Sequence, residues 1–258
     1  MSEHAHSPAE RHDFILKRLK NEGYVKVAAL SEALHVSKVT IRKDLRELED
    51  QNLLHRTYGG ANLRAPYVGE RPLGEKATEF ADEKARIGET AAALVSARDS
   101  IIIGSGTTTL QVARHLPETN ELTVITNAMN VARLIAQRKG IEILMLGGIV
   151  RHNAESTVGR HAEEMLTGYT CDTMFMGVDG FDVEYGLTTT NALEASLNQA
   201  MMHTAQRTVV VTDASKFGRR GFRRICGLNH IHRVITDDAV EPRVVDALEG
   251  QGITVDVV

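Results

Sequence analysis

The sequence predicts an α/β protein in two parts: a small helical head closed by a β-hairpin, and a larger body with a mostly parallel sheet covered by helices. Three observations lead there. Apolar residues recur at helical spacing through about residue 50, then give way to two short extended runs around a glycine pair. Beyond residue 81, short β-rich runs alternate with helical stretches. Charge also divides the chain: Met1 to Ala65 holds 11 Lys+Arg against 9 Asp+Glu, or +2, and the remainder holds 19 against 25, or −6.

Composition narrows the function classes. With 42% apolar and 25% charged residues, the chain is neither disordered nor collagen-like. No apolar run approaches the roughly eighteen residues of a membrane span. Ser2, Glu3, His4, His6, Glu10 and Arg11 lack the apolar stretch of a secretory signal, so a cytoplasmic location is expected. Cys171 and Cys226 read as reduced thiols, which excludes a disulfide scaffold or zinc ribbon. His4, His6 and His12 have no partners at metal-ligand spacing, and neither metal nor cofactor is expected.

The first helix runs from Arg11 to Lys20, with Phe14, Ile15 and Leu19 at helical spacing and Asn21-Glu22-Gly23 as its stop. A second carries Val27, Leu30 and Leu34 and ends at His35-Val36; Ser37 then caps a third, Lys38 to about Asp50. On that helix Ile41, Leu45 and Leu48 face one way, and Lys38, Val39, Arg42, Lys43 and Arg46 the other. One packing stripe opposite one basic stripe is what a helix-turn-helix requires of the helix it presents to base edges and phosphates. An isolated basic stripe is also the pattern of a solvated helix face. The next residues favour the first interpretation. Asn52 to Tyr58, Gly59-Gly60 and Ala61 to Arg64 spell two strands around a glycine turn, a wing on which Arg56 and Arg64 add phosphate contacts. The candidate contacts to double-stranded DNA are Ser37, Lys38, Val39, Thr40, Arg42, Lys43, Arg46 and Arg56.

Pro66, Gly69, Pro72 and Gly74 stand among polar residues without an apolar period, so residues 65–81 read as a linker between a head of residues 1–64 and a body of residues 82–258. In the body the apolar runs are Ile101 to Ile103, Leu122 to Ile125, Ile143 to Leu146, Met174 to Met176, Val209 to Val211 and Val234-Ile235. Open sheets of this kind bind ligands beyond the carboxyl ends of their strands. The first run leads through Gly104-Ser105-Gly106-Thr107-Thr108-Thr109 into a helix, where backbone N–H groups and small hydroxyls suit a phosphate or carboxylate; the same loop also serves as a tight structural turn. It lacks the P-loop lysine and the dinucleotide glycine spacing. Later strand ends add Thr126 and Asn127, Gly148 and Arg151, Asp179 and Asp182, and Lys216. Hydroxyls, carboxylates and a lysine together fit a phosphorylated sugar or polyol.

Two stretches carry a family resemblance. Leu30-Ser31-Glu32-Ala33-Leu34, Val36-Ser37, Thr40 to Leu45 and Arg56-Thr57-Tyr58-Gly59-Gly60-Ala61 resemble the winged helix-turn-helix of the DeoR family of bacterial transcriptional regulators. Lys43 departs mildly, standing where many relatives carry a second arginine. From Glu83 to Asp237 the chain resembles that family's sensor domain, at Gly104 to Thr108, Thr126-Asn127, Gly147-Gly148, Gly159, Gly177 to Gly180, Gly186 to Thr189, Asn191, Glu194 and Asp213 to Phe217. That sensor is in turn similar to ribose-5-phosphate isomerase. The resemblance implies a repressor of a carbohydrate catabolic operon, released from its operator by a phosphorylated sugar or polyol. The expected effector-binding residues are Ser105, Gly106, Thr107, Thr108, Thr109, Thr126, Asn127, Gly148, Arg151, Asp179, Asp182, Glu194 and Lys216. A rival is a sugar-phosphate isomerase or hydrolase fused to a nucleic-acid module. Against it, Thr188 to Asn191 stands where the isomerase has its lysine and glycine run, and Val183 replaces an acid of its cluster, so no catalysis is expected. One winged head reads only a few base pairs, so a homodimer or homotetramer is expected.

Overall fold

The computed structural model describes residues 7–50, 53–57, 59–63, 69–118 and 121–258, and its contacts divide the chain into two units, Met1–Tyr67 and Val68–Val258. The expectations at His4, His6, Asn52, Tyr58 and Arg64 lie outside the described residues.

In the first unit, α1 (Pro8–Glu22) starts from a reciprocal cap: the Glu10 carboxylate accepts the Ser7 N–H at 2.7 Å and the Ser7 hydroxyl accepts the Glu10 N–H at 3.3 Å. It is followed by β1 (Tyr24–Lys26), α2 (Val27–Ala33), α3 (Lys38–Asp50), β2 (Leu54–Thr57) and β3 (Gly60–Leu63). Strand β1 is an addition to the sequence expectation, and α2 stops short of the expected His35, which turns with a positive φ of 52°. The wing is therefore three antiparallel strands, ordered β1-β3-β2. Gly60 makes this possible, because a Cβ there would lie 1.9 Å from the Val25 carbonyl oxygen. Ile15, Leu19, Leu30, Ile41, Leu45, Leu48 and Leu54 form the core. One acid shares it. Asp44, 2% exposed, accepts Arg11 Nε at 2.7 Å and Nη2 at 2.8 Å, a fork that ties α1 to α3 and raises the arginine's pKa.

The second unit opens with α4 (Leu73–Thr78) and α5 (Ala81–Ala92), and continues with β4 (Ser100–Ile103), α6 (Thr107–His115), β5 (Leu122–Thr126), α7 (Met129–Ile135) and β6 (Ile141–Met145). Next come β7 (Ile149–Arg151), β8 (Ser156–Val158), α8 (Arg160–Met165), β9 (Cys171–Met176), β10 (Gly180–Asp182) and β11 (Gly186–Thr189). The chain ends with α9 (Ala192–Thr204), β12 (Ala205–Val211), β13 (Arg223–Cys226), β14 (Arg233–Thr236), α10 (Pro242–Glu249) and β15 (Thr254–Val257). Among the described residues the main sheet has seven strands, ordered β15-β14-β12-β9-β4-β5-β6, and every pairing in it is parallel. Both faces are covered. Ile101 and Ile103 pack with Ile87 and Val112 on one side, and Ile102 packs with Met174 and Leu197 on the other, which is why these strands read as unbroken apolar runs.

The expected linker is corrected. Helix α4 lies inside residues 65–81 and belongs to the second unit. Six residues are too few to show an apolar period; α4 is held instead by Lys84, 3% exposed, whose ammonium donates to the carbonyls of Lys76 at 2.6 Å and Glu79 at 2.5 Å. Among the described residues no helix is long and apolar enough to cross a membrane.

Replacing Arg11 with Ala strands the Asp44 carboxylate inside the core and should destabilise the first unit by about 3 kcal/mol. Denaturant melts of Arg11→Ala and of Arg11→Ala with Asp44→Leu test this. The double variant should recover part of the loss; equal stability of the wild type and Arg11→Ala refutes it.

Candidate functional site

Two sites can be built, one in each unit. On α3 the outward stripe is as expected: Lys38, Val39, Arg42, Lys43 and Arg46 are exposed, with Val39 at 72%. Ser37 turns its hydroxyl back to accept the Thr40 N–H at 3.1 Å and lies 2.9 Å from the Thr40 hydroxyl, so both polar groups serve the helix start. Lys43 lies 3.8 Å from Glu47. Arg56 is also engaged within the fold. Its Nε sits 2.6 Å from Glu49 Oε2 and its backbone N–H donates to the same carboxylate, so its charge is matched within the fold. Arg42, Arg56 and Thr57 line a shallow groove between α3 and the wing.

In the second unit a cleft of about 690 Å³, counting its open mouth, lies beyond the carboxyl ends of β4, β9 and β12. The β4–α6 loop contributes Ser105, Gly106, Thr107 and Thr108, β9 leads to Gly177, Val178 and Asp179, and β12 leads to Thr212, Asp213 and Lys216. Topology sets this position. The chain steps from β4 outward to β5 and β6, then returns through β9 on the other side of β4, and open parallel sheets leave their crevice at such a reversal.

Two carboxylates organise the cleft. Asn191 caps α9 by accepting the N–H groups of Leu193 and Glu194, which sets the Glu194 carboxylate in the first helical turn. Glu194 Oε2 accepts Arg151 Nη1 and the Thr189 hydroxyl, each at 2.6 Å, and Oε1 lies 3.3 Å from the Ser105 hydroxyl. Asp179 is held by Lys76 at 2.7 Å and by Thr189 Oγ1, Thr190 N and Thr190 Oγ1 at 3.0 to 3.2 Å. Burial pushes the Asp179 carboxyl up, but the Lys76 ammonium and these donors outweigh it and hold the group below the usual carboxylate value. Lys216 is in the opposite position: burial pulls its pKa down against the pull of Asp213, and among the described residues no hydrogen bond or ion pair engages its ammonium. Asp213 accepts the Ser215 N–H and hydroxyl on Oδ1, while its buried Oδ2 has no hydrogen-bond partner among the described residues.

The structure thus brings together Ser105, Gly106, Thr107, Thr108, Arg151, Asp179, Glu194 and Lys216 of the expected effector residues. Five others do not line the cleft, and each is occupied elsewhere. Thr109 is fully buried and bonds the Gly106 carbonyl. Thr126 donates to the Ile103 carbonyl at 2.6 Å, and Asn127 donates to the Thr157 carbonyl at 3.0 Å. Gly148, at φ 135°, lies so near β8 that a Cβ would meet the Val158 carbonyl oxygen at 2.5 Å. Asp182 accepts from the N–H groups of Glu184 and Tyr185 and from Arg220 Nε. Thr126, Asn127 and Gly148 follow β5 and β6, on the far side of the reversal. Sequence reasoning missed Glu70, Arg71 and Lys76, which line the cleft from the supposed linker, together with Thr189, Thr190 and Asp213. The threonines had a signal, since Thr189 and Thr190 directly precede the Asn191 cap. The three charged residues had none.

The chain is similar to proteins already known. The DeoR-like helix-turn-helix domain matches residues 11–66, and the DeoR C terminal sensor domain matches residues 79–238. A chain of Escherichia coli O157:H7 named as an aga operon transcriptional repressor is 37% identical, over 96% of this chain and 93% of its own. The glycerol-3-phosphate regulon repressor of Escherichia coli K12 is 31% identical over 88% of this chain and 90% of its own. A solved ribose 5-phosphate isomerase from Methanocaldococcus jannaschii is 20% identical over 54% of this chain and 55% of its own, with a TM-score of 0.40.

The exposed stripe of α3 assigns different work to its residues. Arg42→Ala should weaken binding to the cognate duplex by about 1–3 kcal/mol and relax sequence preference, whereas Lys38→Ala should weaken all duplexes alike. Isotherms on cognate and scrambled DNA separate the two. Equal losses on both sequences for Arg42→Ala would remove it from base reading.

Proposed function

The chain belongs to the DeoR family of DNA-binding transcriptional regulators, and we propose that it represses a carbohydrate operon and leaves its operator when a phosphorylated sugar or polyol fills the cleft. It is a regulator and not an enzyme. The observation that carries the effector's chemistry is Lys216. An ammonium in the cleft with no hydrogen bond or ion pair among the described residues is only partly offset by the charges of Asp213 and Asp179, and a phosphate at the N-terminus of α6 would give it a direct partner. The first three N–H groups of α6 have no helical acceptors, and Thr107 and Thr108 add hydroxyls. Asp179, Glu194 and Thr189 then face the sugar hydroxyls. The name of the glycerol-3-phosphate regulon repressor supports a phosphorylated effector of this class. Induction follows by linkage: an effector that binds the weak-binding conformation about a hundredfold better lowers operator affinity by up to that factor, about 2.7 kcal/mol. Two or four heads on one particle supply the specificity that one head lacks, so the working form is a homodimer or homotetramer.

Calorimetric titration with sugar phosphates and the matching free sugars tests the anion site, using as operator the upstream duplex that the protein retards in gels. Lys216→Ala should keep operator binding and lose induction. Asp179→Asn and Glu194→Gln should change which sugar is accepted rather than whether phosphate binds. Comparable wild-type affinity for a sugar and its phosphate would sink the assignment. Light scattering at micromolar concentration should return at least a dimeric mass.

The pH dependence has a definite sign. Anion binding needs the protonated amine, so affinity is full below the pKa of Lys216 in the empty cleft and falls as pH rises through it. Because burial lowers that pKa, the fall should begin below the pH at which an ordinary lysine titrates, and Lys216→Arg should flatten it. An unchanged profile in Lys216→Arg would show that another group controls the affinity.

A further inference from the structure

The segment between Gly69 and α4 places its own charges in the cleft. Glu70 Oε1 lies 2.7 Å from Arg151 Nη2, on the guanidinium that also holds Glu194, and Lys76 holds Asp179. Arg151 is 9% exposed and its buried Nε has no partner among the described residues, so this fork is only partly satisfied. Lys84 pins the far end of α4 at the carbonyls of Lys76 and Glu79. Among the described residues Arg151 is the side-chain partner of Glu70, which is 35% exposed and stands two residues past the boundary between the units.

We propose that Glu70 is a built-in stand-in for the effector's anion: a latch on Arg151 that an incoming phosphate displaces, freeing the chain that leads to the DNA-binding unit. The proposal rests on the cleft's being a phosphate site. A phosphate monoester carries nearly two negative charges at neutral pH and offers an arginine two oxygens, where Glu70 offers one. Like charge then expels Glu70 from the guanidinium, while Lys76, of opposite sign, is drawn toward the ligand. With α4 pinned behind Lys76 and Arg71 forked to Glu79 at 2.9 and 3.0 Å, the part set free is the approach to them, Gly69 and Glu70. Effector and latch compete for one group, so what stabilises one weakens the other.

The test uses the full chain, inorganic phosphate as the probe, and fluorescence anisotropy on the operator duplex. Glu70→Gln removes the charge and keeps the shape. It should bind phosphate about fivefold more tightly than the wild type and hold the operator about fivefold more weakly without phosphate. Glu75→Gln is the control: Glu75 is 59% exposed, lies 3.5 Å from Arg71 and does not line the cleft, so it should change neither. Phosphate binding with unchanged affinity in Glu70→Gln would overturn the latch and leave the cleft assignment standing. Tighter phosphate binding without weaker operator binding would also overturn it, because the latch would then stop at the cleft, as would equal effects of Glu75→Gln. Failure of both the wild type and Glu70→Gln to bind phosphate would overturn latch and cleft assignment together.

Discussion

A single hydroxyl stands between two carboxylates in this cleft. Thr189 Oγ1 lies 2.6 Å from Glu194 and 3.0 Å from Asp179, and it has one proton to give. Each acid faces a cation, Glu194 against Arg151 and Asp179 against Lys76, and the two cations come from separate parts of the chain. Much of the surrounding structure answers to this arrangement. The Asn191 cap puts Glu194 in the first turn of α9, where the helix dipole favours its charge; β7 carries Arg151 across from the far half of the sheet; α4 brings Lys76. Removing α4 would leave Asp179 with threonine donors alone, which is a reason for this polar segment to be fixed in place by a buried lysine.

The reversal of strand order explains which loops take part. At the carboxyl ends of β4, β9 and β12 the loops open outward and keep free hydroxyls or charges. At β5 the equivalent residues are spent on neighbouring backbone: Thr126 closes on β4, and Asn127 fastens the strand β8. Both are polar and both follow a strand, so they resemble the cleft residues in every respect except topology. Both are buried and turned to backbone groups, so neither reaches the cleft.

This also marks what the sequence could reveal. The central strands were legible because a parallel sheet covered on both faces demands uninterrupted apolar runs, and Ile101 to Ile103 cannot be read otherwise. The stripe of α3 was legible because one face must pack on α1 and α2. Edge elements were not: β15 alternates as Thr254-Val255-Asp256-Val257, and β1 has three residues. Asp44 sits on the packing side of α3 although it is an acid, and partners on α1 make that tolerable: the Arg11 fork, 33 positions earlier, and His12, 3.6 Å away. Of the candidate effector residues, some line the cleft and others do not, because strand ends cannot be ranked without strand order. Glu70 and Lys76 stayed hidden because a surface-like charge in a Pro- and Gly-containing stretch carries no periodicity.

The head shows a similar sorting of charge. The acids of α3 gather in its C-terminal half, where Glu49 holds Arg56 and Glu47 lies near Lys43. Lys38, Arg42 and Arg46 carry no ion pair among the described residues, and the first two stand at the end where the helix dipole adds its own positive potential. Positive potential is thus concentrated on the turns a recognition helix presents to the duplex, with the exposed Val39 between them as an apolar surface suited to a thymine methyl. Arg56 also has a structural task. Bound to Glu49 through both its backbone N–H and its guanidinium, it joins the wing to the end of α3 and sets where the hairpin stands.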